Sequence, residues 1–125
     1  MKISESSQYA KECKRLCKKY PRLSADIERS IRVIVSLYVK SEDVDTDTLK
    51  ANFFRSNKNN ILHINKDKRC EVVKIRVKSS DMNNDSIRLV FVVAIYEKNI
   101  TLIEIFAKNK KGNEDTYRWQ QFIKS

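Results

Sequence analysis

Between Val72 and Lys78 the chain alternates strictly: Val73, Ile75 and Val77 are apolar, while Lys74, Arg76 and Lys78 are cationic. Successive side chains of a strand leave on opposite faces, so this segment predicts a strand with apolar groups on one side and cations on the other. Ile87 to Tyr96 is almost continuously apolar, the pattern of a central strand covered on both faces. Arg88 is its one charged interruption, and parity places it with Val90 and Val92, opposite Ile87, Leu89 and Phe91. Glu97-Lys98-Asn99 reads as a hairpin turn. Ile100 to Ala107 reads as the next strand, with Thr101, Ile103 and Ile105 on one face.

The first half follows a helical period instead. After a short strand near Lys2 to Glu5, Ser6 or Ser7 caps a first helix whose apolar positions are Tyr9, Cys13, Leu16, Cys17 and Tyr20. Lys11, Lys14, Arg15, Lys18 and Lys19 lie largely off that stripe. Pro21 ends the helix by removing a donor and restricting Tyr20. Ser24 caps a second helix, with Asp26 and Glu28 at its positive end and Ile27, Ile31, Ile34, Val35 and Tyr38 as its apolar face. The short connection predicts an antiparallel αα-hairpin. Ser41 to Asn60 is polar and Asn-rich and reads as a loop, with Phe53 and Phe54 anchoring it. A last helix runs from Asn113 to Lys124, capped by Asn113, with Glu114 and Asp115 at its start and Trp119 and Phe122 packed on the sheet. Grouped strands with helices set apart predict one α+β domain over residues 1–125: the αα-hairpin on an antiparallel sheet of three to four strands, with a C-terminal helix.

Charge then narrows the partners. The chain of 125 residues carries a formal net charge of +10. A surplus this large concentrates polyanions, which fits nucleic acid, an acidic protein or an anionic surface. No apolar run reaches transmembrane length and the first residues lack an apolar leader, so the expectation is a cytoplasmic chain without membrane contact. With one glycine and one proline, phosphate-cradling glycine loops and GxSxG elbows are excluded. Three cysteines and one histidine, His63, make neither a disulfide framework nor a metal site, so neither metal nor cofactor is expected. The thiols read as small buried hydrophobes and His63 as a loop or strand-edge residue. Asp43, Asp45 and Asp47 lack the glycine and terminal glutamate of a calcium loop.

The segment carrying candidate chemistry is therefore Lys74-Ile75-Arg76-Val77-Lys78. On a strand its cations stand about 7 Å apart on one face. Arg88 arrives from the next strand, Lys108, Lys110 and Lys111 follow the last strand, and Tyr117 comes from the final helix. In a meander these groups converge on one basic surface suited to RNA: cations hold phosphate and stabilise charge building on it, and an aromatic stacks on a base. An ordinary solvated sheet face is the alternative reading of the same pattern.

The same residues carry a family resemblance. Lys18-Lys19-Tyr20-Pro21 with Asp26-Ile27, Lys74-Ile75-Arg76, Ile87-Arg88-Leu89-Val90-Phe91 and Ile103 to Asn109 together resemble, in order, the RelE/ParE toxins of toxin–antitoxin pairs. The likeness spans nearly the whole chain except 41–69, which reads as a family-variable insertion. It implies a RelE-like fold and a toxin that cleaves mRNA on the ribosome by metal-independent attack of a 2′-hydroxyl on the adjacent phosphate. ParE-like members instead poison DNA gyrase. Carried over, Lys74 contacts the phosphate or transition state, Arg76 stands where RelE has a lysine, Arg88 matches a phosphate-binding arginine, and Tyr117 matches a substrate-positioning tyrosine. Lys78, Lys108, Lys110 and Lys111 supply further phosphate contacts. Asn109 stands where RelE has an arginine, Phe91 replaces a common tyrosine, and Asn83-Asn84-Asp85-Ser86 replaces a glycine-rich turn. The implied partners are mRNA on the ribosome and an acidic antitoxin protein. Nothing in the pattern specifies an oligomeric state.

Overall fold

A computed structural model describes residues 1–39, 45–55, 58–67, 69–79, 81 and 87–124. Its elements are β1 (Lys2–Glu5), α1 (Ser7–Lys19), α2 (Leu23–Tyr38), α3 (Thr46–Phe53), β2 (Asn60–Asn65), β3 (Cys70–Val77), β4 (Ile87–Ala94), β5 (Asn99–Ala107) and α4 (Thr116–Lys124). The class is α+β. The sheet order is β1-β5-β4-β3-β2. β2 to β5 run antiparallel to their neighbours, and β1 runs parallel to β5.

The sheet is thus mixed and five-stranded, not an antiparallel sheet of three to four strands. β1 offers Ile3 as its only apolar side chain, and it joins through backbone pairing that no side-chain pattern announces. The stretch 41–69 is not a plain loop either. It holds α3, where the Asp45 side chain accepts from the Thr48 N–H at 3.1 Å, and β2, which covers the outer edge of β3. Asp43 lies outside the described residues.

Two apolar clusters fill the two faces of the sheet. On the first, Val73, Ile75, Val77, Leu89, Phe91 and Ile105 pack with Tyr9, Leu23, Ile27 and Ile34 of α1 and α2, and the phenyl rings of Phe53 and Phe54 close its margin. Cys13 and Cys17 also pack here, their sulfurs 3.8 Å apart. On the second, Cys70, Val72, Val90, Val92, Ile103 and Phe106 pack with Trp119 of α4. β4 is buried on both faces along Ile87–Val93, as its continuous apolar run requires.

Several local expectations shift. A β-bulge sets Val90 opposite Glu104 but Phe91 opposite Leu102, so Ile103 is the inserted residue. Ile103 then faces the second cluster and Ile105 the first, and the expected common face of Thr101, Ile103 and Ile105 is broken. Ser6 caps α1, accepting from the Tyr9 N–H at 3.1 Å. Ser24 does not cap α2. The Leu23 N–H donates to the Tyr20 carbonyl at 3.0 Å, and this tight turn starts the helix two residues earlier, with Arg22 at the cap position. α4 begins at Thr116 with Asp115 accepting from the Arg118 N–H at 3.1 Å, because Asn113 is drawn away toward Lys74. Trp119 is buried, whereas Phe122 is 37% exposed.

Candidate nucleic-acid interface

The register lays out the second face of the sheet as rows of directly opposed residues. One row runs Lys74, Val90, Glu104, and the next runs Arg76, Arg88, Phe106. Opposed Cα atoms in such a ladder lie roughly 4.5–5.5 Å apart, and successive same-face rows about 7 Å apart. Lys74, Arg76 and Arg88 therefore share one face, with the two arginines in direct cross-strand register. Like charges placed opposite one another are unfavourable by themselves. Arg88 is buried, only 8% exposed, and its guanidinium donates to the Ile87 carbonyl at 3.2 Å. The Arg76 N–H donates to the Asn59 side chain at 3.0 Å, so Asn59 extends the ladder one step beyond the end of β2.

Beside the arginines, carboxylates hold the following segment down. The Lys74 ammonium donates to Glu114 at 2.8 Å and to Asn113 at 3.3 Å. Glu104 is 1% exposed; one oxygen pairs with the Lys111 ammonium and the other accepts from the Asp115 N–H at 2.8 Å. These contacts lay residues 111–115 across the Lys74 row, and Lys111 also stands over the Phe106 ring of the next row, 5.6 Å from its centroid. A second tie fixes the far side: Arg118 forms a two-pronged pair with Glu12 of α1 at 2.9 and 3.0 Å and donates to the Ile103 carbonyl at 3.1 Å. Burial works to lower the Arg118 guanidinium, but the carboxylates of Glu12, Glu104 and Asp115 together outweigh it and the net displacement is upward.

The remaining expected residues fall in three places. Lys78 and Lys108 are exposed, each one residue past the end of its strand. Lys110 lines a groove of about 300 Å³ beside α1, together with Arg15 and Lys19. Tyr117 is 70% exposed. It stands two residues from the buried Trp119, about 200° around the helix, and so points to solvent instead of onto the sheet. His63 lies on β2 with its ring centroid 5.4 Å from that of Trp119, at the opposite end of the face from the arginines.

Glu104 and Glu114 organise this surface and were not among the residues expected to do so. Glu104 had a signal in the sequence, being the one charged residue in the otherwise uncharged run Asn99–Ala107. Glu114 had none, since an acid before a helix reads equally as a dipole partner. Among the described residues no group of three or more His, Cys, Asp or Glu is arranged to hold a metal ion. No helix among them is long and apolar enough to cross a membrane. No protein-family model, curated protein or solved structure matches the chain.

Proposed function

We propose that the chain is a toxin of the RelE/ParE type whose arginine-bearing sheet face binds the mRNA phosphodiester on the ribosome and promotes its cleavage. The observation that carries this reading is the direct register of Arg76 with Arg88, one row from Lys74 on the same face. Guanidiniums carried by two directly opposed residues can converge on one phosphate. In the reaction, the 2′-hydroxyl oxygen bonds to the adjacent phosphorus as the bond to the 5′-oxygen breaks. The hydroxyl proton goes to a base, and the leaving oxygen takes a proton from an acid. Arg76 and Arg88 stabilise the negative charge gathered on phosphorus but stay protonated, so they do not move protons themselves. A lysine ammonium at the rim, Lys108 or Lys74 once Glu114 is displaced, gives the leaving oxygen its proton, and solvent water takes the hydroxyl proton. No metal or other cofactor enters this scheme. The partner that silences such a surface is an acidic antitoxin, drawn by the +10 charge.

One observation favours a second reading, a non-cleaving protein of the same fold that inhibits gyrase or binds RNA or the antitoxin alone. Lys74 is engaged by Glu114, and Tyr117 points to solvent. Proton transfer therefore requires rearrangement.

The deciding experiment is induced expression with transcript-end mapping. New 5′ ends in translated mRNA should appear with the wild type and fall about 100-fold with Arg88→Ala, the scale of one lost charge-stabilising donor. Growth arrest with intact transcripts would reject cleavage, and arrest of supercoiling alongside it would select the gyrase form.

A further inference from the structure

The first helix carries a second cationic surface, separate from the sheet face. Lys11, Lys14, Arg15 and Lys18 follow i, i+3, i+4, i+7 spacing, and Lys19 extends the row. At 100° per residue their centre lies opposite the buried stripe of Tyr9, Cys13, Leu16 and Tyr20. All five cations are exposed, and none forms an ion pair among the described residues. The single carboxylate of the helix, Glu12, is turned away to Arg118. The row is about 12 Å long. It is also continuous with the rest of the molecule, because Arg15 and Lys19 share the groove with Lys110, which follows β5.

Like charges at these spacings repel, so the arrangement weakens the helix that carries it. We propose that the outer face of α1 is a docking surface for the sugar–phosphate backbone of a helical nucleic acid. A convex row of ammonium groups fits between phosphate-lined strands, and it makes contacts that position a duplex without reading its sequence. The face carries no exposed large apolar side chain, which an interfacial membrane helix needs. A folded peptide partner wants a concave apolar seat, and this convex face offers none. The inference does not depend on RNA cleavage at the sheet.

The test compares the wild type with the variant Lys11→Gln, Lys14→Gln, Arg15→Gln, Lys18→Gln, whose substitutions keep helix propensity. Binding to a 20-base-pair RNA duplex is titrated against salt, with polyglutamate and anionic phospholipid vesicles as competitors. The slope of log affinity on log salt should become shallower by about 3, near 0.8 per lost phosphate contact, with affinity at least tenfold weaker. The melting temperature should rise by a few degrees as repulsion is relieved. Unchanged duplex affinity in the more stable variant would overturn the proposal, as would polyglutamate or vesicles displacing the duplex at equal charge. Arg88→Ala, tested in parallel, separates the two readings: it should lower cleavage about 100-fold while leaving the salt slope of duplex binding within about one unit.

Discussion

Glu104 shows how a single buried group is made tolerable. A carboxylate in the interior is costly unless its oxygens are used, and both are, by the Lys111 ammonium and the Asp115 N–H. Glu104→Ala should lower stability by about 2–3 kcal/mol in urea unfolding, because it orphans that N–H and loosens residues 111–115. Glu104→Gln keeps an acceptor for the N–H and should lose less. Cys17 is the second residue with a measurable signature. Burial, then the neighbouring Cys13, push its thiol up to about 11 from an ordinary value of 9.0. At pH 8 the folded chain should therefore alkylate at Cys17 about 100-fold more slowly than the unfolded chain, followed by timed labelling and mass spectrometry. The sign for stability follows from the raised value. The contribution is fully present below pH 9 and is lost as pH rises toward 11.

At the scale of elements, caps and ties decide where each segment ends. Ser6 links the start of α1 to β5, since its hydroxyl caps the helix and lies 3.4 Å from the Ile103 carbonyl. Ser6→Ala should cost about 1 kcal/mol, read from the denaturation midpoint at constant m-value. α3 is held differently. Bonds from Thr48 keep the Asp45 carboxyl below its usual range. Helix support from Asp45 is therefore full above the ordinary carboxylate value and is lost as pH falls through the depressed one. Amide exchange in Thr46–Phe53 should accelerate on acidification before that of β3 and β4. Helix α3 is also joined to the sheet through Glu71, which accepts from the Lys50 ammonium at 2.9 Å and the Tyr38 hydroxyl at 2.7 Å. Burial, then that same carboxylate, push the Tyr38 hydroxyl upward.

For the whole molecule, the two sheet faces carry unequal loads. The first is covered by two helices and the margin of a third, the second by α4 and residues 111–115, with Trp119 as the one buried side chain of α4. Trp119→Ala should cost about 3–5 kcal/mol, and as the only tryptophan its fluorescence reports docking of α4 directly. Much of this arrangement was legible in the chain. Period-two alternation set the faces of Lys74, Arg76 and Arg88, the unbroken apolar run marked β4 as central, and the helical period gave α1 and α2. Such patterns are local, and the solvent imposes them on any strand or helix that is half or fully buried. What the chain by itself did not disclose depends on partners distant in sequence. The parallel pairing of β1 rests on backbone groups that every residue carries. The bulge at Ile103 depends on how β5 meets β4, and β2 forms because the edge of β3 accepts it. The tertiary structure alone decided that Lys74 and Lys111 are bound to Glu114 and Glu104 while Arg76 and Arg88 stand in register, since charge is written in the sequence but its neutralisation requires proximity in space.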